Sequence, residues 1–184
     1  FTRAGYRQWG LKMQDDVSDG VRKLVADGIA DPKRVCIVGA SYGGYAALAG
    51  ATLSPDLYAC AVSVAGVSDL RMLLTSTVPW GTTFDNQFMT ARLGLRYGDE
   101  ARLDATSPVL HADQVRCPIL LLHGKKDTTV PVEHSNDMNT ALLRAGKSVK
   151  YVKFDSDDHY FTLEATRITM LTEVESFLKA NIGN

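Results

Sequence analysis

The chain has 184 residues, 45% of them hydrophobic and 22% charged, with a formal net charge of −1. That length and apolar content support one domain with a sizeable core. The intermixed charges leave no electrostatic footprint for nucleic acid or an anionic membrane surface, and no apolar run approaches the ~18 residues of a membrane-spanning helix.

Residues 1–10 place three aromatics among Gly, Arg and Gln without a steady period and read as a loop entering the domain. The chain begins at Phe1 in this polar loop, as a processed piece of a longer protein would, so the lack of a signal peptide leaves the compartment open between cytoplasm and periplasm. In residues 13–30, Val17, Val21, Leu24, Val25 and Ile29 fall at helical spacing, and Asp15 and Asp16 lie near the favourable N-terminal end. Asp31-Pro32 stops this helix, because Pro disfavours the helical region for the residue before it.

A strand over residues 34–38 runs into Gly39-Ala40-Ser41-Tyr42-Gly43, and a small-residue helix over 43–53 follows. A G-x-S-x-G segment between a buried strand and a helix is a sharp turn that presents the serine hydroxyl outward, with the helix N-terminus directed at it. Without that context the motif would be only a Gly-rich turn containing Ser.

A second apolar strand covers residues 58–65 and ends at Gly66, and Asp69 is placed to cap a short helix through residue 74. Two strands separated by a helix of this length form a right-handed parallel crossover. Residues 75–97 mix Pro79, Trp80, Phe84, Phe88 and Tyr97 and read as an aromatic-rich insertion with short helices. Ser107-Pro108 opens a short helix to residue 112, with Pro at its favoured first position. A third strand is expected over residues 118–123, a helix over 132–145 ended by Gly146, a fourth strand over 149–154, and a closing helix over 161–180. That last helix carries Ile168, Leu171, Val174, Phe177 and Leu178 on one side. The alternation of strands and helices predicts an α/β sandwich around a mostly parallel sheet with helices on both faces. Cys36, Cys60 and Cys117 all sit in strand-like segments without a C-x-x-C spacing, and read as buried free thiols rather than a disulfide or metal site.

A serine hydroxyl needs a base, and the base an orienting carboxylate. In α/β-hydrolases these follow the nucleophile in the order Ser, Asp or Glu, His, each on a loop after a strand. Asp127 follows the third strand and His159 the fourth, both at carboxyl ends of strands, where open α/β sheets form their crevice. His123 ends a buried strand and reads as a hydrogen-bonded scaffold residue, while His111 and His134 lie in helical stretches facing no identifiable partner. Asp155, Asp157 and Asp158 adjoin His159 and read as groups that cap or solvate its turn. A metal site built from His159 and these aspartates would leave the serine turn unexplained and lacks a helical His pair, so no metal or cofactor is expected.

With these residues in place, the chain resembles the catalytic domain of the prolyl oligopeptidase family of serine peptidases, in its acylaminoacyl-peptidase and dipeptidyl-peptidase-like branch. The matching stretches are Trp9-Gly10 with Gln14-Asp15-Asp16-Val17, Gly28-Ile29-Ala30-Asp31-Pro32, Gly39-Ala40-Ser41-Tyr42-Gly43-Gly44-Tyr45, Ser107-Pro108, and His123-Gly124 with Asp127 and Val130. The resemblance implies an α/β-hydrolase fold that acts on peptides without a cofactor, residues 1–184 forming the C-terminal part of its catalytic domain. It implies Ser41 as nucleophile, Asp127 as orienting acid, His159 as base, the Tyr42 N–H as an oxyanion donor, and Tyr42, Val67, Leu70 and Val130 around the residue before the scissile bond. Val67, Leu70 and Val130 read equally as ordinary core.

Two departures from the family pattern stand out. Tyr160-Phe161 follows His159 where many members carry Gly-Phe. The family's first strands, the loop carrying its second oxyanion donor and its substrate-gating β-propeller would all precede Phe1, leaving a sheet edge open to pairing with a second copy. A carboxylesterase or thioesterase of the same fold, and a silent fold used for binding or assembly, are the competing readings.

Overall fold

A computed structural model describes residues 2–75, 89–94 and 98–183. Its frame is a four-stranded, wholly parallel sheet in the order β1 (Cys36–Ala40), β2 (Cys60–Val64), β3 (Ile119–Gly124) and β4 (Val149–Phe154). The helices between and around them are α1 (Lys12–Ala26), α2 (Tyr42–Leu53), α3 (Leu70–Thr75), α4 (Glu100–Ala105), α5 (Glu133–Arg144) and α6 (Glu164–Ile182), with a 3-10 helix at Pro108–Gln114. The architecture is the parallel α/β sandwich expected of an α/β-hydrolase.

Strand alternation sorts the core into two layers. Ala61, Ile119 and Leu121 point to one face, where they pack with Leu48 and Ala51 of α2 and Met138 and Leu142 of α5. Val62, Val64, Leu120 and Leu122 point to the other and meet Met170, Val174 and Phe177 of α6. β2 and β3 are buried along their whole length, which is why they read as continuous apolar runs. β1 is an outer strand of the described sheet, and Val38 on it is 47% exposed.

Several expectations shift in detail. β1 runs two residues further than its predicted 34–38, because Gly39 and Ala40 pair with Ser63 and Val64 of β2 instead of starting the turn. In α1 the inward face is polar: Gln14 and Ser18 are buried beside Val21, while Val17 and Leu24 lie exposed. In α6 the predicted apolar side splits, Val174 and Phe177 packing inward and Ile168 and Leu171 facing out. Asp69 does cap α3, its Oδ1 accepting the N–H groups of Arg71 and Met72 at 2.8 and 2.9 Å. Most of the aromatic-rich insertion expected over residues 75–97 lies outside the described residues.

The reading of three free thiols is corrected. Cys36 and Cys60 form a disulfide, their Cα atoms 4.7 Å apart, because they are register partners on β1 and β2 and so present neighbouring side chains. Cys117 alone of the three is free, and burial pushes its thiol up to about 11.

Candidate active site

The turn between β1 and α2 is built by close approach of backbone. Ser41 adopts φ 57° and ψ −118°, a conformation that costs a non-glycine residue on the order of 1–3 kcal/mol. It is held there by its own N–H, which donates to the Val64 carbonyl at 2.9 Å, and by its carbonyl, which accepts the Tyr45 N–H at 3.0 Å. Gly44 and Gly66 let the start of α2 press on the end of β2: a Cβ on Gly44 would sit 2.7 Å from Gly66 Cα. Trp9 and Tyr45 flank Tyr42, their ring centroids 4.5 and 5.9 Å from its own, and the Tyr45 hydroxyl donates to the Thr106 carbonyl at 2.9 Å. The Trp9-Gly10 stretch thus braces the residue that follows Ser41.

Asp127 and His159 arrive from the loops after β3 and β4. His159 Nε2 lies 3.0 Å from Ser41 Oγ, and its Nδ1 lies 2.7 Å from Asp127 Oδ2. A carboxylate accepts only, so the ring proton belongs on Nδ1 and the Nε2 lone pair faces the serine hydroxyl. A neutral imidazole held this way can take the Ser41 proton. Asp127 Oδ1 accepts the N–H groups of Thr129 and Val130, both at 2.8 Å. Burial pushes the Asp127 carboxyl up, but hydrogen bonds from His123, His159 and the Val130 N–H outweigh it and hold the group well below the usual carboxylate range.

The loop carrying His159 wraps around a second buried carboxylate. Asp157 Oδ1 accepts the N–H groups of Asp158 and Thr162 at 3.0 and 2.9 Å, Oδ2 accepts that of Leu163 at 3.3 Å, and its carbonyl accepts the Lys126 N–H at 3.0 Å. The last bond ties the His159 loop to the Asp127 loop. Asp158 accepts the Tyr160 N–H at 2.9 Å, and Asp155 lies 3.5 Å from Lys125 Nζ. Sequence alone did not separate Asp157 from its neighbours, since only the fold shows which of three adjacent aspartates turns inward. Tyr160 is 74% exposed with its ring edge-on to His159, at a centroid distance of 5.5 Å, while Phe161 turns inward against Phe154.

The remaining sequence candidates divide. Val67, Leu70 and Val130 are buried in a cluster with Tyr45 and Leu103, and Tyr42 is partly buried against it. His111 Nε2 lies 3.1 Å from the Asp104 carbonyl, away from these loops. His134, expected to face no partner, has two: its Nδ1 accepts the N–H groups of Ser68 and Asp69 at 3.3 and 3.4 Å. It pins the loop after β2 to the first turn of α5.

The chain is similar to known proteins over its whole length. The model of the prolyl oligopeptidase family matches residues 1–184. A dipeptidyl aminopeptidase BIII from Pseudoxanthomonas mexicana is 35% identical over 100% of this chain and 27% of its own length. An acylamino-acid-releasing enzyme from Arabidopsis thaliana is 28% identical over 89% of this chain and 21% of its own. The structure of a puromycin-hydrolyzing peptidase from Mycobacterium tuberculosis superposes with a TM-score of 0.90 at 32% identity, covering 98% of this chain and 27% of that one. The chain therefore spans about a quarter of the length of the curated relatives it matches. With its family model matched from end to end, this chain belongs to the prolyl oligopeptidase family.

Proposed function

We propose that this chain carries the hydrolytic centre of a serine peptidase acting on short peptides through an acyl-enzyme. The carrying observation is the continuous hydrogen-bonded order Ser41, His159, Asp127, drawn from three separate loops at one edge of the sheet. Ser41 Oγ attacks the scissile carbonyl carbon as His159 Nε2 takes its proton. The tetrahedral intermediate collapses with cleavage of the C–N bond, and the same proton passes from Nε2 to the leaving amine. Water then adds to the Ser41 ester, giving its proton to Nε2, which returns it to Ser41 Oγ as the ester C–O bond breaks. Asp127 keeps the imidazole in the required tautomer throughout.

The Tyr42 N–H, in the first turn of α2, is assigned as an oxyanion donor, where the helix dipole adds to its effect. Tyr42 with Val67, Leu70 and Val130 behind it is assigned as the wall against which the residue before the scissile bond rests. Substrate gating by a β-propeller and a second oxyanion donor are assigned to sequence outside this chain, in keeping with the three quarters of the relatives that it does not span.

The test is a fluorophosphonate probe applied to the intact protein and to Ser41→Ala, read by intact mass. Labelling that vanishes in the variant supports an activated Ser41, and peptide against ester panels then separate peptidase from esterase. A folded wild type that never labels overturns the reading.

A further inference from the structure

His123 is the penultimate residue of β3, and its surroundings give it a task beyond packing. Its side chain and that of Asp127 are both fully shielded from solvent. His123 Nε2 lies 2.9 Å from the Val130 carbonyl oxygen and 3.2 Å from Asp127 Oδ2. Both neighbours only accept, so the ring proton sits on Nε2. Nδ1 is then an acceptor, and the Ser135 hydroxyl, 2.7 Å away in the first turn of α5, donates to it. The Ser135 hydroxyl thus donates to His123, whose Nε2 donates to the Val130 carbonyl and lies 3.2 Å from Asp127 Oδ2. That same oxygen meets His159, which in turn faces Ser41.

We propose that His123 is a positioning residue for the reaction, its Nε2–H holding the Asp127 carboxylate in place and setting how strongly that carboxylate draws on the His159 imidazole. The proposal rests on the reading of His159 as the base. Asp127 Oδ1 is already occupied by two backbone donors, so Oδ2 is the oxygen on which His159 and His123 meet. A second donor on one carboxylate oxygen withdraws charge from the bond that oxygen makes to the first. Removing His123 therefore concentrates charge on the His159 bond, favours the imidazolium, and keeps the base protonated to higher pH.

His134 from α5 is coupled electrostatically to both His123 and Asp127, and Asp69 from the loop after β2 acts in turn on His134. Burial first, and then the neighbouring His123, holds His134 down at about 4 against the opposing pull of Asp69 and Asp127, so it stays largely neutral from pH 5 to 9. His134, Asp69 and Asp127 are all unchanged in the variants that test the proposal.

The experiment follows the rate of fluorophosphonate labelling of Ser41 from pH 5 to 9 in the intact protein, in His123→Leu and in His123→Gln. The Gln amide nitrogen can take the place of Nε2 and keep its donor. In wild type the rate is expected to climb with pH to a plateau, as it does where a general base must be unprotonated. His123→Leu is expected to move that limb up by about half to one pH unit, with a plateau lowered ~10-fold. His123→Gln returns the limb towards wild type. Should His123→Leu fail to fold, Ser135→Ala carries the test, since loss of its hydroxyl makes Nε2–H a weaker donor and moves the limb the same way by less. A labelling wild type with an unmoved limb in the folded variants overturns this proposal alone. A wild type that labels at no pH overturns the nucleophile reading and this proposal together.

Discussion

A Cβ built on Gly39 would lie 2.8 Å from Gly43 Cα and closer still to the Gly43 carbonyl group. The two glycines that flank Ser41 thus touch backbone to backbone, and that approach lets β1 reverse into α2 with the serine at the apex. Gly43 itself has nothing within 4 Å of the corresponding point. Gly39→Ala should therefore destabilise the fold by about 3 kcal/mol or more, since no flexible side chain is available to yield. Gly43→Ala should stay within about 1 kcal/mol of wild type, helped by the better helix propensity of Ala. Urea denaturation of both variants checks the asymmetry, and equal losses would show that the turn tolerates a shift of its own backbone.

Asp157 predicts an effect on the base without touching it. In Asp157→Ala the N–H groups of Asp158, Thr162 and Leu163 lose their acceptor together, a loss of about 3 kcal/mol if each costs near the lower end of its range. Because these bonds shape the loop carrying His159, labelling of Ser41 should slow by up to ~10²-fold, the scale of a 1 Å displacement. Asp157→Asn retains one acceptor oxygen and should fall between. Burial pushes the Asp157 carboxyl up, yet the hydrogen bonds it accepts keep it below the usual range. Its contribution to stability is thus complete above the ordinary carboxylate pKa near 4 and declines as the pH falls towards the folded value. An Ala variant that labels at the wild-type rate would detach Asp157 from the placement of His159.

The loops that bear Ser41, Asp127 and His159 were legible because each follows a strand readable in the sequence. These are the largely apolar β1, the fully buried apolar run of β3, and β4, whose Val149, Tyr151, Val152 and Phe154 are interrupted by two exposed lysines. Partnerships set by register and by helix rotation were not. Cys36 and Cys60 become neighbours only when β1 pairs with β2, and a 24-residue separation in sequence gives no sign of it. The inward turn of Gln14 and Ser18 in α1 runs against the apolar pattern of that helix. It follows from what α1 rests on, since Ser18 Oγ lies 3.5 Å from Ser54 Oγ at the end of α2. Ile168 and Leu171 were read with the apolar side of α6, yet the helix is rotated so that Met170, Val174 and Phe177 meet the sheet instead.

The disulfide should matter to stability through the unfolded chain. Closing a loop of 24 residues removes conformational freedom worth about 3 kcal/mol in the chain-entropy account. Cys36→Ser with Cys60→Ser should lower the urea midpoint accordingly. The pair sits at the start of β1 and β2, away from the end at which Ser41 emerges, so Ser41 labelling of the folded double variant should be unchanged. A loss of labelling without a loss of stability would contradict that separation.

His134 makes the fold itself sensitive to mild acid. It is fully buried, its Nδ1 accepts two backbone N–H groups from the loop after β2, and its Nε2 has no hydrogen-bond partner among the described residues. Burial disfavours the imidazolium and lowers the group from 6.5 to about 4. Between those values the unfolded chain binds a proton that the folded chain refuses, so stability is complete above about pH 6.5 and falls as the pH drops towards 4. From pH 7.5 to pH 5 the loss assigned to this residue is about 2 kcal/mol. His134→Asn places an amide oxygen where Nδ1 accepts and removes the titration, at the cost of a small cavity. The variant should be the less stable protein at pH 7.5 and should close that gap, or overtake wild type, at pH 5. A difference between the two urea midpoints that stays constant across this range would mean that His134 protonates without leaving its place, and that its two backbone partners can be released while the fold remains intact.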